Sequence, residues 1–410
     1  MVTVIIRKLL VFFVPATTLL LTYLLIPRIS SLQPAHHDII SILPYVIAVM
    51  GMLMSVHFHR VRPFLALLLL VFFYWCSQKY LGVNPVSSGY FCIYQTFIHL
   101  MPFNFMLFAL MRERGVFSVA GRMRIAFLLL QSVLGYWYCA AHKMQITAPL
   151  AGKYSFLPFM DATLVPQSAL VIGALSIAVI GLSALRRQAP TEGGLLGAIV
   201  AFYAACNGIG HGPTHTLFMA AGAFIVLQAV ILDSYNMAYR DDLTGVPSRR
   251  ALNEQLSSLR RQYTIAMLDV DHFKKFNDAY GHDVGDQVLK LVGRKVLGVG
   301  GGGKAYRFGG EEFAIVFPGR KADDVIKHLE ELRQNIADYS LALRSSERPK
   351  EQKQGQGLRG SKFNVEHVSV TVSIGVAESG DEFSTKEQVL RGADQALYKA
   401  KSWGRNMVCR

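Results

Sequence analysis

Arg307-Phe308-Gly309-Gly310-Glu311-Glu312-Phe313 is the stretch around which the second half of the chain is organised. Ala305 to Phe308 before it reads as strand, and Phe313-Ala314-Ile315-Val316-Phe317 after it reads as a buried strand of β-branched and aromatic residues. Two glycines between two strands predict a tight hairpin, because Gly takes positive φ without steric cost. They also leave the backbone bare to close approach. The carboxylates of Glu311 and Glu312 stand at the mouth of that hairpin. Successive strand residues point to opposite faces, so only one of the two can face a given partner. The plainer alternative is a tight turn followed by surface acids.

Five further stretches extend the pattern. They are Asp241-Asp242-Leu243-Thr244-Gly245, the run from Leu268 to Asp278 (LDVDHFKKFND), Gly281-His282-Asp283-Val284-Gly285-Asp286, Val372 to Ala377 (VSIGVA), and Ala393 to Asn406 (ADQALYKAKSWGRN). In content and order they resemble the DxLTG, LDxDxFKxxND, GHxxGD, SxGxA and ADxALYxAKxxGRN motifs of the GGDEF-type diguanylate cyclases, in the variant with Glu in the third place. The resemblance covers roughly residues 241–410. It implies an α/β domain with a mostly antiparallel central sheet flanked by helices, like the family's palm-type fold. It also implies synthesis of cyclic di-GMP from two GTP with release of two pyrophosphates. Each such domain holds one GTP, so the resemblance implies a homodimer through the cyclase domain, with cyclic di-GMP effectors downstream. One departure is Ser248, where the family usually has Asn.

The residues themselves fit that chemistry. Thr264 to Val270 reads as an apolar strand ending in acids, so Asp269 lies beside Glu311 if the two strands pair. Carboxylates converging at strand ends suit Mg²⁺ (or Mn²⁺), a hard ion that keeps waters for phosphates; a solvated strand end is the alternative for Asp269-Val270-Asp271. Lys274 is a point charge for phosphate. Asn277 and Asp286 offer an amide and a carboxylate to a base edge. Lys401 and Arg405, four apart at the end of the last helix, share a face. By resemblance, Asp269, Glu311 and the Val270 carbonyl hold metal, and Asn277 and Asp286 hold guanine. Gly309 and Gly310 lie against substrate, and Lys401 and Arg405 grip the triphosphate. Asp269, Glu311 and Glu312 form the catalytic set.

The first half is of another kind. The 410 residues are 52% hydrophobic with a positive mean hydropathy, and the apolar residues crowd before residue 235. Eight apolar stretches, near residues 9–26, 39–57, 63–79, 90–111, 124–142, 166–185, 194–210 and 214–233, approach the ~20 residues that cross ~30 Å of hydrocarbon. An all-α polytopic membrane region of about eight helices over residues 1–235 is therefore expected, followed by a cyclase domain over 236–410. A cleavable signal peptide is the rival reading of the first stretch; no small-residue cleavage site precedes Pro27-Arg28, which favours a retained helix. Arg7, Lys8, Arg60, Arg62, Arg112, Arg114, Arg122, Arg124, Arg186 and Arg187 fall in alternate loops. The positive-inside rule puts those loops and both termini in the cytoplasm, hence a bacterial inner-membrane protein in a lipid bilayer. The formal charge of +14 belongs largely to these segment ends and to one late loop. No basic patch interleaved with aromatics calls for nucleic acid.

This topology gathers Cys76, Cys92, Cys139 and Cys206 near the outer face, with His142, His211 and His215 at the same level and His36 and His37 in the first outer loop. The group is a candidate for metal or thiol–disulfide sensing; the alternative is packing. His99 is a separate candidate for an ionisable group at membrane depth.

Gly298-Val299-Gly300-Gly301-Gly302-Gly303-Lys304 fits phosphate-loop spacings but follows a helix and enters a strand, the reverse of a phosphate loop. Many family members carry an RxxD inhibitory product site ending just before the hairpin; here its places are Gly300 and Gly303, so that site is expected to be missing. Residues 344–362 read as a basic insertion, disordered or directed at anionic lipid. Competing functional readings are a catalytically weak GTP-binding receptor domain, a relative that makes cyclic GMP-AMP, and a membrane receptor or transport protein with secondary cyclase activity. Relatives of the second kind carry Ser where Asp286 stands. No EAL-type phosphodiesterase motif appears.

Overall fold

The computed structural model describes residues 2–81, 91–141, 165–187, 189–209, 213–259, 262–343 and 366–410, and divides into two compact units, Met1–Tyr235 and Asn236–Arg410. His142, His211 and the 344–362 loop lie outside the described residues.

The first unit is helical: α1 (Val2–Ser30), α2 (Pro34–His57), α3 (Val61–Cys76) with a π-helical turn (Ser77–Leu81), α4 (Phe91–Leu110), α5 (Val119–Ala141), α6 (Gln167–Arg187), α7 (Pro190–Asn207) and α8 (Thr214–Tyr239). Each apolar stretch of the sequence has become one helix, and seven of the eight are long and apolar enough to cross a membrane. The exception is α7, whose first turn carries Glu192, wholly buried. Phe73, Tyr74, Phe105 and Phe202 fill the core. Leu53, Leu129, Val133 and Trp137 stay more than half exposed, as expected of side chains that face hydrocarbon rather than water.

Several buried charged side chains of this bundle are paired with one another. Arg62 of α3 meets Glu113 at 2.7 Å and Glu192 at 2.8 Å, and Arg187 reaches Glu192 at 3.2 Å. The Thr191 hydroxyl donates to the carboxylate of Asp233 on α8. These groups come from three of the arginine-bearing loops, so the loops that the charge pattern assigns to one side do meet.

The cysteines and histidines divide differently from a single cluster. Cys92 and Cys139 form a disulfide that joins α4 to α5, while Cys76 and Cys206 are free and buried. His215 bonds Ser77 Oγ at 2.7 Å and the Ala205 carbonyl at 2.9 Å. His99 is likewise engaged, by the Gln95 carbonyl and Ser168 Oγ, both at 2.8 Å. Among the described residues no group of three or more His, Cys, Asp or Glu is arranged to hold a metal ion.

The second unit is a three-layer α/β domain. Its five-stranded sheet has the order β2 (Lys304–Gly309), β3 (Glu312–Pro318), β1 (Tyr263–Val270), β6 (Val372–Glu378), β7 (Val408–Cys409); only β6–β7 is parallel. Two short strands, β4 (Leu341–Leu343) and β5 (Glu366–Val368), pair separately. β1 is central and buried along its whole length, which explains its unbroken apolar run. Ala266, Leu268 and Val270 face a core shared with α11 (His282–Val296) and α12 (Ala322–Ala337). Ile265 and Met267 face the opposite core, shared with α9 (Arg249–Ser258) and α13 (Lys386–Ser402). Helix α10 (Phe273–Tyr280) follows β1 directly. A capping box starts α13: Gln388 N–H donates to Thr385 Oγ1 at 3.2 Å and Thr385 N–H to Gln388 Oε1 at 3.0 Å. Gly375 of β6 lets α13 lie close, since a Cβ there would overlap the Leu397 amide and the Ala393 carbonyl.

Candidate active site

Strand alternation decides what the site contains. Asp269 is two residues past Met267, so it emerges on the α9/α13 face of the sheet. In the β1–β3 ladder its partner is Glu312, and directly opposed residues share a face. Glu311 is one residue earlier, in the turn between β2 and β3. The sequence placed Glu311 beside Asp269 through strand pairing; the paired residue is Glu312, and Glu311 reaches the same neighbourhood from the turn.

The turn differs from expectation in a second respect. Gly309 is the last residue of β2, after a register shift between Arg307 and Gly309, and the two turn residues are Gly310 and Glu311. Neither Gly309 nor Gly310 adopts positive φ. The reason for glycine is space: a Cβ on Gly310 would meet nothing within 4 Å, so the turn leaves an open shelf above the carboxylates.

That shelf is clipped from below. Arg307 donates through Nε and Nη2 to the Gly310 carbonyl, at 3.2 and 2.6 Å, and through Nη1 to Asp241 Oδ1 at 2.6 Å. Asp241 also accepts from the Thr244 amide and hydroxyl, at 2.8 and 2.6 Å. Burial alone would raise the Asp241 carboxyl; the hydrogen bonds from Thr244 and Arg307 outweigh it and hold it below its ordinary value. The DDLTG loop and the hairpin are thus one construction, a role for Arg307 that the sequence reading did not assign.

Asp269 is crowded. Burial pushes its carboxyl up, Lys401 Nζ at 2.9 Å draws it back, and Glu311 and Glu312 raise it again, leaving it at about 6. Glu311 and Glu312 are near enough to Asp269 to repel its charge, but no three acids among the described residues are arranged as a ready-made metal cage. A cation of the Mg²⁺ type needs only one or two carboxylates when phosphates and waters complete its shell. The Val270 carbonyl lies at the end of the same strand.

The remaining expected residues are placed as follows. Asn277 of α10 buries its Oδ1 without a partner, beside Gly285, where a Cβ would overlap that oxygen. Asp286 and Lys274 are exposed. Lys401 is occupied by Asp269 and not free. Arg405 is half-buried, with φ of 66°.

The larger omission is Asp271. It is not a solvated strand end; only 6% of it is exposed. It accepts from Thr371 Oγ1 at 2.7 Å, Ser373 Oγ at 2.7 Å and the Asn406 amide at 3.1 Å. Its carboxylate therefore pins the turn after α13, where Gly404, Arg405 and Asn406 all have positive φ. The available signal was the pair of hydroxyls, Thr371 and Ser373, at the start of an otherwise apolar strand.

The decoy glycines follow α11 and enter β2, as the spacing implied. Gly303 is packed: a Cβ would stand 2.7 Å from both Phe317 and Val299 side-chain atoms. At Gly300 it would stand 2.8 Å from His328 Nδ1.

Residues 238–358 match the family model described as diguanylate cyclase, GGDEF domain. The response regulator PleD of Caulobacter vibrioides is 34% identical over 187 residues, 43% of this chain and 36% of PleD. The diguanylate cyclase VdcA of Vibrio cholerae is 34% identical over 172 residues, 41% of this chain and 45% of VdcA. A crystal structure of the coiled coil and GGDEF domain of DgcB from Caulobacter crescentus, in complex with c-di-GMP, aligns at 31% identity. That alignment has a TM-score of 0.38 and covers 45% of this chain and 91% of that one. The chain spans less than half the length of these two curated relatives. Residues 238–358, within its second unit, form a GGDEF domain.

Proposed function

We propose that the chain is a membrane-bound diguanylate cyclase that condenses two GTP into cyclic di-GMP and two pyrophosphates. In this reading residues 1–235 are a multi-pass sensor and 236–410 the cyclase, with both termini cytoplasmic. The observation that carries it is the convergence of Asp269, Glu311 and Glu312 beside Lys401, under an open turn. Asn277 and Asp286 receive the guanine edge; the unpartnered Asn277 oxygen, next to the bare Gly285 backbone, is a ready acceptor for its N–H groups. Lys274, Lys401 and Arg405 neutralise the triphosphate, and Gly309 and Gly310 let it lie against the backbone. Asp269, Glu311 and the Val270 carbonyl would hold a divalent cation (Mg²⁺ or Mn²⁺), which would supply acidification of the attacking 3′-hydroxyl and charge stabilisation at the α-phosphate. Lys401 exchanges Asp269 for phosphate when nucleotide arrives. One site orients one nucleotide, so in-line attack requires two domains face to face, which makes the active form a homodimer.

The test is incubation of the full-length protein in vesicles with GTP and Mg²⁺, with products identified by mass. Cyclic di-GMP is expected in stoichiometry with twice as much pyrophosphate. GTP binding without a cyclic product would instead support a receptor domain.

A further inference from the structure

The first unit holds a cavity of ≈ 360 Å³ between α3, the π-helical turn, α4 and α5. Its walls are mainly apolar and aromatic, with Phe72, Trp75, Phe97, Leu100, Met101 and Tyr136 prominent, and among the described residues the lining contains no Asp, Glu, Lys, Arg or His. Size and lining match sites for small molecules, which run from ~300 to ~1,000 Å³ with a few placed polar groups. Phe72, Trp75 and Tyr136 are 37%, 41% and 64% exposed, so the mouth opens on the lateral, hydrocarbon-facing surface of the bundle.

The polar groups of the lining are unequal. Thr96 Oγ1 donates to the Cys92 carbonyl at 2.9 Å and Ser132 Oγ to the Leu128 carbonyl at 2.8 Å, so both hydroxyl protons are used within their own helices. Asn104 and Gln131 are different. Asn104 Nδ2 donates to Gln131 Oε1 at 2.8 Å, across from α4 to α5, and this one bond leaves each amide with unused capacity. Asn104 is 2% exposed and its Oδ1 is buried without a partner. Turning both amides over exchanges donor for acceptor and leaves the same capacity. In a low-dielectric cavity such groups are costly unless something meets them. The Cys92–Cys139 disulfide ties α4 to α5, and Cys139 is itself part of the lining, so the walls are held in place before any ligand enters.

We propose that this cavity binds a neutral, mainly apolar molecule drawn from the bilayer, whose single hydroxyl or carbonyl group hydrogen-bonds to the Asn104–Gln131 amide pair. Among the described residues the lining holds no side chain charged at neutral pH, and the cation Lys79 stands outside it over the Trp75 and Tyr80 rings, at 5.2 and 5.5 Å from their centroids. A charge carried deep to the amide pair would therefore be desolvated without a counter-ion. The amide pair selects for one uncharged polar group over none, because a site built to bond such a group disfavours the analogue that lacks it.

The experiment uses full-length protein in phosphatidylcholine vesicles and 1-decanol carrying a mid-chain diazirine, photolysed and mapped by mass. Labelling is expected to saturate and to concentrate on α3, α4 and α5. Unlabelled 1-decanol should compete, while decanoate at pH 8 and decane should each need roughly tenfold more. Leu100→Trp, which fills the cavity, should abolish the saturable label. Gln131→Leu should leave the label in place but erase the preference for decanol over decane. It also keeps the test decisive if the tryptophan variant misfolds. Label spread evenly over the lipid-facing surface without saturation would overturn the proposal, as would decanol and decane competing equally for the wild type. The readout is binding, so the result is independent of the cyclase reading.

Discussion

Asp271→Ala separates a structural account of this site from a list of motif letters. The substitution removes a carboxylate that accepts three hydrogen bonds and leaves their donors in place. Each buried donor left unmade costs about 1–3 kcal/mol. Ser373 is wholly buried, whereas Asn406 is exposed and water can reach its amide. Thr371 can turn its hydroxyl elsewhere, so the expected loss is about 3 kcal/mol, below the sum of three separate bonds because they share one acceptor. Against a usual stability of about 5–15 kcal/mol this is large but leaves the domain folded. The second effect is local. Arg405 and Asn406 hold left-handed backbone, with φ of 66° and 48°. That conformation costs non-glycine residues on the order of 1 kcal/mol each. Without the Asp271 anchor the turn relaxes and Arg405 loses its position. Unfolding should be followed through Trp403, which stands in the second unit apart from Trp75 and Trp137. Steady-state rates on the same full-length protein give the other half of the test. We expect KM for GTP to rise by roughly tenfold or more, with a smaller change in kcat, because an arginine that binds phosphate in ground and transition states alike contributes mainly to binding. Asp271→Ala with wild-type stability and KM would refute the reasoning and return Asp271 to the status of a surface acid.

Glu311→Gln should lower turnover by roughly a thousandfold with an unchanged thermal midpoint, since it removes a charge from a half-exposed turn position and keeps its shape; wild-type turnover would count against the metal assignment. The Asp269 carboxyl stands at about 6 against an ordinary 3.8, so the folded chain holds this proton more tightly than the unfolded one. Its contribution in EDTA is therefore a stability that falls as pH rises from about 4 to about 6 and is level above that. Thermal midpoints of the wild type minus those of Asp269→Asn should show this slope, and Mg²⁺ should stabilise the wild type increasingly over the same window; a difference that rises with pH would contradict the assignment. Gly300 and Gly303 stand where an RxxD site would need Arg and Asp, and a Cβ at either would crowd His328 or Phe317 and Val299, so we predict weak product feedback. Turnover should proceed without strong inhibition at micromolar cyclic di-GMP, and potent non-competitive inhibition lost on mutation of that turn would overturn this.

What could be read without coordinates was whatever depends on local pattern. The helices of the first unit follow from hydropathy, and the length of β1 follows from its unbroken apolar run. The face shared by Asp269 and Met267 is a matter of alternation. What could not be read depends on partners distant in the chain. Asp271 meets Thr371, Ser373 and Asn406 across separations of 100 residues or more. Arg307 reaches back 66 residues to Asp241. Nothing in the spacing of the cysteines selects Cys92 with Cys139, which are 47 residues apart, over the other pairings. The hairpin was recognised; of the two uses read for its glycines, positive φ is taken up by neither, while Gly310 does leave open space where a Cβ would meet nothing within 4 Å. Glu192 was passed over because a single acid at the start of an apolar helix resembles a solvated end until its two arginines are seen.

That acid bears on how the protein is made. Helix α7 brings Glu192 into a place where no water reaches it, and an unpaired carboxylate there is costly. Its partner Arg62 is synthesised 130 residues earlier, on α3, and is itself 5% exposed. Each has a second partner as well, Arg62 in Glu113 and Glu192 in Arg187, so the four side chains form one ionic network across the ends of α3, α6 and α7 and the segment after α4. Arg62 therefore has a partner in Glu113 before α7 is made, and the network closes only when α7 delivers Glu192, so the order of synthesis is also the order in which these charges are tied together.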